Sequence, residues 1–517
     1  MIEHLGYRIE SSFLTIRDRW DRTHEVYAAR CLPHGVTSPV AGVLHLPGGG
    51  QTVDPTDLVW WARRGFAAVS MDWENRHNPA HDPERKSRWA PAIQTRYDPI
   101  ESEQQALIPT AMLGASASLD WISEQDLVDE NRLGVAGISW GGYLTWAVAA
   151  HDQRVKAIVP VFGCGGLFDE RFSAAQFFKQ LPEPVRTTWE QEWDALALTK
   201  SRLRAPTCYC SATNDFFGPH SVAESALAEL KHNAVPVRRT SRPNGDHWCG
   251  IPGGVAAEQW MRQWLMDGPP LPEEPVLHED GSVELDSSRP IDDVCLWWSV
   301  GSPADAGHCW WPGEPDRLPA LASLAFARVR YTDGLVLNSP TLRLAGERPA
   351  EDLPETWPDA VRAGAAARWG VCSTQFYARP GIDHEQPAFE PIDGNPQRVR
   401  VTHDVSGSST FSYFFTGLGD PRWNHDTASG VVITLDGAGS TISRWQVTVK
   451  VLKSNTQIPE KTFTQHLDTP LDRVEVVIHP GLFEDWPEGK TWSDVIALEI
   501  SGDVSGPTVM VGPIKRR

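Results

Sequence analysis

The chain lacks both a long hydrophobic run and a cluster of basic residues. No apolar stretch reaches the length of about eighteen residues that marks a membrane-spanning helix. Met1 to Glu10 lack the charged and apolar regions of a signal peptide, so a cytoplasmic protein is expected unless a leader was removed. The formal net charge is −20, with no block of Lys and Arg to offset it. This argues against nucleic acid or a membrane surface as a partner.

Cysteine is scarce too, with eight residues in the chain, and its spacing matches no metal site. Cys208 and Cys210 stand two apart on a predicted strand, where both point to one face and are expected to be buried. Cys249 has no further ligand at a recognised spacing, and others are scattered among β-like segments, namely Cys295, Cys309 and Cys372. We therefore expect no metal, no cofactor and, in a cytosolic protein, no disulfide.

The length of 517 residues and the hydrophobic content of 41% allow two or three well-packed domains. A Pro-rich break at 267–275 separates a first part, in which strands alternate with helices, from a second part made of short alternating strands. The predicted domains are therefore an α/β domain at 1–267, an immunoglobulin-like β-sandwich at 276–345 and a jelly-roll-like β-sandwich at 366–517.

The most informative segment is the Gly-x-Ser-x-Gly turn around Ser139. A short apolar run, 133–136, enters the turn, and a helix-compatible stretch, 144–150, follows it. This context is typical of a nucleophile elbow, a strained turn on which side chains two residues before and after the serine would collide. Gly137 and Gly141 meet that requirement.

An acid and a histidine follow the serine in the chain order that a catalytic triad on such an elbow requires. Asp215 comes after a predicted strand at 206–212, and His247 after the next one at 235–240. Because the loops after parallel strands emerge at one edge of a sheet, we expect Ser139, Asp215 and His247 to meet there.

Other residues fit these roles less well. Asp246 adjoins His247, but neighbours in sequence rarely face each other. His151, His220 and His232 lie at the ends of predicted helices, where a capping or surface role is expected.

Acyl transfer on such a serine also requires backbone donors for an oxyanion. Trp140, directly after the serine, is predicted to supply one N–H group. Gly49 and Gly50, in the glycine-rich turn after the predicted strand 40–46, are predicted to supply the other. A plain turn or a phosphate-binding loop would fit three glycines as well, although the absence of a following Gly-Lys-Ser/Thr excludes a Walker loop.

Residues 20 to 266 resemble the α/β-hydrolases. The resemblance is to the branch of acetyl xylan esterases, cephalosporin deacetylases, dienelactone hydrolase-like proteins and prolyl-oligopeptidase-type peptidases. It rests on the Gly137 to Tyr143 segment, on the loops of Asp215 and His247, and on a predicted strand at 65–73. Two positions depart from the pattern. Pro47 stands where many members have His before the oxyanion glycines, and Ser139 stands where dienelactone hydrolases proper have Cys, which disfavours their lactone chemistry.

The resemblance implies an α/β-hydrolase fold and a serine hydrolase that cleaves carboxylic esters with small acyl groups, with a carbohydrate acetyl ester as one candidate substrate. A peptidase of the prolyl-oligopeptidase branch is the nearest alternative, although the chain has no N-terminal propeller. An alternative of another class is an inactive hydrolase fold that binds carbohydrate or acts as a scaffold. The expected partner is a small-molecule or carbohydrate ester, and the sequence is compatible with a homo-oligomer.

The 23 tryptophans could serve sugar stacking or core packing, and core packing is the more common use in β-sandwiches. Trp310 and Trp311, beside Pro312-Gly313, are predicted to be partly exposed. The polar segment 75–99 and the aromatic-rich segment 163–200 are predicted to border the site, the second as a small lid.

Overall fold

The structure is a computed structural model that describes residues 2–75, 85–90, 93, 103–163, 165–167, 181–215, 217–243, 247, 254–299, 308, 310–319 and 322–344. It also describes the backbone of ten strands between residues 370 and 516.

Nine strands of the described chain form a central sheet in the order β1-β2-β3-β5-β4-β6-β7-β8-β9. Strands β4 to β9 pair in parallel, and β1 to β3 add an antiparallel extension along β5. Strands β5, β7 and β8 are almost wholly buried, which accounts for their continuous apolar runs. The strand bounds are Ile2–His4 (β1), Tyr7–Arg17 (β2), Thr23–Cys31 (β3), Val40–Leu46 (β4), Ala67–Met71 (β5), Val128–Ile138 (β6), Val155–Val161 (β7), Thr207–Ala212 (β8) and Val237–Arg242 (β9).

Seven α-helices of the described chain connect or flank these strands. They are Pro55–Arg63 (α1), Leu107–Ser123 (α2), Trp140–His151 (α3), Glu183–Glu192 (α4), Ala195–Ser201 (α5), His220–His232 (α6) and Gly254–Leu265 (α7). Helix α1 starts where Asp54 accepts the N–H of Thr56, with Pro55 in the first turn. No helix in the described ranges has the length and apolar character needed to cross a membrane.

The central sheet carries a hydrophobic core on each face. Because side chains alternate along a strand, Val43 of β4 lies in one core and Leu44 in the other. Helices α2, α3 and α6 cover the face of Leu44, whereas α1 and α7 cover the face of Val43. The sheet is therefore a middle layer between helices, and its loops are fixed from both sides.

A smaller β unit follows the Pro-rich segment. A hairpin of Val276–Leu277 (β10) and Val283–Glu284 (β11) packs its Leu277 against Leu296, Trp298 and Ala325 of a second sheet. That sheet has the order β13-β12-β14-β15, with β16 also on β14, and all its pairings are antiparallel. Its strands are Ile291–Ser299 (β12), Trp311–Gly313 (β13), Leu324–Tyr331 (β14), Val336–Asn338 (β15) and Leu342–Arg343 (β16). We call the described residues of 276–344 the accessory unit.

The strands near the carboxyl terminus form two antiparallel five-stranded sheets. One has the order β17-β20-β25-β22-β23 and the other β18-β19-β26-β21-β24. Their strands are Gly370–Val371 (β17), Phe389–Ile392 (β18), Asn395–Thr402 (β19), Ser409–Phe415 (β20), Val431–Asp436 (β21), Thr441–Leu452 (β22), Pro459–Leu467 (β23), Arg473–Ile478 (β24), Val495–Ser505 (β25) and Thr508–Arg516 (β26).

The predicted fold class, a mostly parallel sheet flanked by helices and followed by all-β parts, is confirmed. The three domain boundaries, and the immunoglobulin-like and jelly-roll-like assignments, stay predictions. The expected exposure of Trp310 is wrong. Its side chain is fully buried because it packs against Phe326 of β14 and His220 of α6. The side chain of Trp311 lies outside the described residues.

Candidate active site

Ser139 sits at the turn between β6 and α3 with a strained backbone. Its φ of 58° is one that L-residues seldom adopt. Its N–H donates to the Val161 carbonyl at the end of β7, at 2.8 Å. The turn thus holds the serine at the carboxyl edge of the sheet.

The two glycines of the turn have no room for side chains. A Cβ on Gly137 would lie 2.3 Å from the Gly141 carbonyl oxygen, and one on Gly141 would lie 2.0 Å from the Leu46 carbonyl oxygen. The steric requirement predicted for this motif is confirmed. Gly163 is a third such position, since its Cβ would lie 2.3 Å from the Ser139 carbonyl oxygen, and the sequence pattern does not reveal it.

A continuous hydrogen-bond path connects the serine, the histidine and the carboxylate. The Oγ of Ser139 lies 2.7 Å from Nε2 of His247, and Nδ1 of His247 lies 3.0 Å from both carboxylate oxygens of Asp215. Asp215 is fully buried and His247 is 4% exposed. Three residues far apart in sequence thus meet at one edge of the sheet. Asp246, the rival acid, lies outside the described residues.

The carboxylate and the imidazole are each held in place by neighbouring groups. Oδ1 of Asp215 accepts the N–H groups of Phe217 and Gly218, at 2.8 and 3.0 Å. The imidazole of His247 packs against two aromatic rings, with centroid distances of 5.1 Å to Phe162 and 4.8 Å to Phe217. The ring orientation is therefore fixed both by hydrogen bonds and by packing.

The predicted oxyanion donors lie in two segments that touch. Trp140 is the first residue of α3. The turn after β4 contacts the start of α3, because a Cβ added to Gly141 would collide with the Leu46 and Pro47 carbonyls. Within that turn, the Gly50 N–H donates to the Glu74 carboxylate. Of the two predicted glycines, Gly50 is thus engaged by a side chain that the sequence pattern did not point to.

A small apolar pocket opens beside Ser139. It encloses about 290 Å³ including its mouth. Besides Ser139 and His247, its lining consists of Trp140, Tyr143, Phe162, Gly163, Leu167 and Phe217.

One wall of this pocket is anchored by Asp194, a residue that sequence reasoning missed. Its buried carboxylate accepts the N–H groups of Gly166 and Leu167, at 2.9 and 2.7 Å, and also caps α5 through the Leu196 N–H at 2.8 Å. Burial raises the pKa of Asp194, although these N–H groups offset part of the effect. Burial, helped by the Asp194 charge, also raises the pKa of Tyr143 well above its ordinary value. Tyr143 donates to the Trp193 carbonyl, which joins the elbow helix to the same wall.

The segments predicted to border the site are described only in part. Leu167 and Asp194 belong to the predicted lid, 163–200; Leu167 lines the pocket, and Asp194 accepts its N–H. Most of its aromatic residues lie outside the described residues, namely Phe168, Phe172, Phe177 and Phe178. In the polar segment 75–99, Arg88 forms an isolated antiparallel bridge with Glu25 of β3.

The three other candidate histidines lie at helix ends, and two of them make hydrogen bonds. His151 lies 2.9 Å from the Glu192 carbonyl oxygen and stacks on Trp193. His232 ends α6, as the sequence suggested. His220 contradicts the expected surface role, since it is 7% exposed and hydrogen-bonded at 2.7 Å to Thr341 of the accessory unit. Within the part of the chain that the structure describes, no cluster of His, Cys, Asp and Glu could hold a metal ion.

Comparison with protein families gives two matches in the first half of the chain. Residues 19–168 match the acetyl xylan esterase family, and residues 115–265 match the prolyl oligopeptidase family. The second match contains Ser139, Asp215 and His247, and the first contains the glycine-rich turn and Ser139.

Curated relatives share only short segments with this chain. A putative carboxymethylenebutenolidase of Methylorubrum extorquens is 37% identical over 71 residues, or 13% of this chain and 24% of that protein. An uncharacterised 31.7 kDa protein of Escherichia coli is 35% identical over 95 residues, or 18% of this chain and 26% of that protein. The chain thus spans about a quarter of the length of these relatives.

Several solved structures resemble about half of this chain. An acetyl xylan esterase from Paenibacillus sp. R4 has a TM-score of 0.38 and 18% identity, over 51% of this chain and 90% of that one. An acylaminoacyl peptidase from Pyrococcus horikoshii has a TM-score of 0.37 and 15% identity, over 50% of this chain and 40% of that one.

The sheet order, the strained serine turn and the two family matches lead to one class. The first part of the chain has an α/β-hydrolase fold, and its family matches are to the acetyl xylan esterases and the prolyl oligopeptidases.

Proposed function

We propose that this protein is a serine hydrolase that cleaves carboxylic esters through an acyl-enzyme. The observation that carries the proposal is the hydrogen-bond path from Ser139 through His247 to Asp215, at 2.7 and 3.0 Å, beside an apolar pocket. In this proposal Ser139 is the nucleophile, His247 the general base and Asp215 the carboxylate that orients the imidazole.

The hydrogen bonds support a definite sequence of proton transfers. With Nδ1–H donated to Asp215, the free Nε2 of His247 takes the proton of Ser139 as Oγ attacks the ester carbonyl. The imidazolium that forms lies against the buried carboxylate, which stabilises it, and then gives the proton to the leaving alcohol. A water molecule, activated by the same nitrogen, hydrolyses the acyl-enzyme and restores the serine.

The oxyanion of each tetrahedral intermediate needs two N–H donors. We assign these to Trp140 and Gly49. Gly50, the other glycine predicted from the sequence, would join them only after its N–H leaves Glu74. The positive end of α3, which begins at Trp140, adds to the stabilisation of the negative oxygen.

The pocket supports a substrate with a small acyl group. Its volume of about 290 Å³ includes the mouth, and Leu167 and Tyr143 are among its lining residues. An acetyl ester of a sugar is the candidate that the acetyl xylan esterase match favours.

One observation favours a second candidate, a serine peptidase. The prolyl oligopeptidase family match spans all three proposed catalytic residues, whereas the acetyl xylan esterase match ends before Asp215 and His247. An inactive carbohydrate-binding or scaffold protein is the alternative of another class, and it predicts no turnover at all.

The test is hydrolysis of p-nitrophenyl acetate and butyrate, and of aminoacyl p-nitroanilides, by the wild type and by Ser139→Ala. We expect ester turnover with acetate preferred, and a loss of kcat on the order of 10⁴-fold in the variant. Ser123→Ala is the matched control, since its hydroxyl only bonds helix carbonyls of α2. Amide turnover without ester preference would support the peptidase, and equal rates in wild type and Ser139→Ala would refute the assignment of the nucleophile.

A further inference from the structure

The accessory unit touches the loop that carries Asp215. We call residues 213–215 and 217–220, from the end of β8 to the first residue of α6, the acid loop. Directly before Asp215, the Nδ2 of Asn214 donates to the carbonyl of His308, at 2.6 Å. Asn214 is 2% exposed and His308 is 6% exposed, so this hydrogen bond lies inside the molecule. Its partner group belongs to the accessory unit, 94 residues along the chain.

The other end of the acid loop is held by the same unit. His220, the first residue of α6, is hydrogen-bonded at 2.7 Å to the Oγ1 of Thr341. Its ring also packs against Trp310 and Phe326, at centroid distances of 6.0 and 6.4 Å. One turn further along α6, Glu224 accepts the Thr341 N–H at 3.2 Å. The acid loop is thus fastened to the accessory unit on both sides of Asp215.

The acid loop is also tightly packed on the side that faces away from the accessory unit. A Cβ on Gly218 would lie 2.0 Å from the Phe162 carbonyl oxygen, which shows that the loop backbone presses against the end of β7. The Phe162 N–H in turn donates to the Cys210 carbonyl of β8, at 2.9 Å. The acid loop therefore lies wedged between the central sheet and the accessory unit, and its position depends on both.

We propose that the accessory unit positions a catalytic residue, because it holds the acid loop where Asp215 meets His247. Asn214 and Thr341 are then positioning residues that act through Asp215. The proposal rests on the proposed function, in which Asp215 orients the catalytic imidazole. The hydrogen bonds from Asp215 to His247 are 3.0 Å long, and a catalytic group displaced by about 1 Å can cost about 100-fold in rate.

The test uses the full chain and three substitutions. Asn214→Ala removes the donor to His308 together with the acceptor of the Thr213 hydroxyl. Thr341 lies outside the central sheet, and Thr341→Val removes only the hydroxyl that is bonded to His220. Gln259→Ala is the matched control. It removes two hydrogen bonds between α7 and the accessory unit, one donated by Gln259 to Asp333 at 3.2 Å and one accepted from Arg289 at 2.5 Å, both away from the acid loop. The readouts are kcat and KM for p-nitrophenyl acetate, the low-field proton NMR resonance of His247 Nδ1–H, and the thermal midpoint.

We expect kcat to fall about tenfold in Asn214→Ala and about threefold in Thr341→Val, with KM unchanged, since a small displacement of Asp215 affects the transition state more than substrate binding. The His247 resonance should shift or broaden in both variants and stay unchanged in Gln259→Ala. Wild-type kcat and an unchanged resonance in the first two variants would overturn the proposal. So would a loss of kcat that follows the thermal midpoint across all three.

The two proposals can fail separately. If the wild type hydrolyses neither esters nor amides, the proposed function fails, while the His247 resonance still decides whether the accessory unit holds Asp215. If Asn214→Ala does not fold, Thr341→Val carries the test, because valine has nearly the shape of threonine and only the hydroxyl is lost.

Discussion

Substitution of Gly141 by alanine adds only one methyl group, but it should lower kcat strongly. The added Cβ would lie 2.0 Å from the Leu46 carbonyl oxygen and 2.6 Å from that of Pro47, both of them backbone atoms. Real Cβ atoms keep at least about 3.0 Å from such atoms, so α3 and the turn after β4 must separate by about 1 Å. These two segments carry the proposed oxyanion donors, Trp140 and Gly49.

The magnitude follows from that displacement. A shift of about 1 Å in donors aimed at the oxyanion should lower kcat for p-nitrophenyl acetate about 100-fold. The overpacking itself should destabilise the fold by about 1 to 3 kcal/mol, which a protein of ordinary stability survives. We therefore expect a folded but nearly inactive Gly141→Ala variant.

The matched control is Gly254→Ala at the start of α7. There the nearest atom to an added Cβ is 4.0 Å away, and alanine favours a helix more than glycine does. This variant should keep wild-type kcat and a thermal midpoint at or above that of the wild type. If Gly141→Ala kept wild-type kcat, the close contact between the serine turn and the turn after β4 would not matter for catalysis, and the assignment of the oxyanion donors would fail.

Three further predictions concern buried carboxylates. Asp194→Asn should weaken the hold on Leu167, which lines the pocket. The ratio of kcat/KM for p-nitrophenyl butyrate to that for p-nitrophenyl acetate should then rise about tenfold, and an unchanged ratio would exclude a role of this wall in acyl selection. Glu274→Gln should destabilise the fold by about 3 kcal/mol in calorimetry, because the buried Arg239 loses its 2.9 Å ion pair. An unchanged stability would mean that Glu224 alone satisfies the guanidinium. Burial raises the pKa of Asp18, but hydrogen bonds from neighbours that include Arg22 outweigh this and lower the pKa from 3.8 to about 2. The stability that this carboxylate contributes is therefore present above about pH 4 and lost as the pH falls toward 2, and Asp18→Asn should flatten the fall of the thermal midpoint over that range.

The serine turn could be predicted because its requirement is local. Five residues fix the path of the backbone, and only glycine fits at positions 137 and 141. The meeting of Asp215 and His247 with Ser139 could be predicted as well, because parallel strands present their carboxyl ends at one edge. A rule about strand direction was sufficient there, without any knowledge of side-chain packing.

The parts that could not be predicted depend on contacts between distant segments. The Asp194 carboxylate looks like an ordinary helix cap in the sequence, and only the folded chain brings the N–H groups of Gly166 and Leu167 to it, 28 and 27 residues away. His220 looks like a surface residue because its partner, Thr341, is 121 residues away in the accessory unit. Sequence patterns report the period of a helix or strand, but not which neighbour covers it.

The tryptophans of the accessory unit bear on where substrate selectivity arises. A ring that stacks on a sugar needs an exposed face, whereas Trp297, Trp298 and Trp310 are 3%, 7% and 0% exposed. Trp298 packs on the β10–β11 hairpin and Trp310 on His220 of the acid loop. These three rings therefore serve core packing rather than carbohydrate binding. For an acetylated sugar substrate, the preference for acetyl would then come from the pocket beside Ser139. A substitution at Leu167, which lines that pocket, should therefore change the preference for acetyl, whereas a substitution at Trp298 should change only stability.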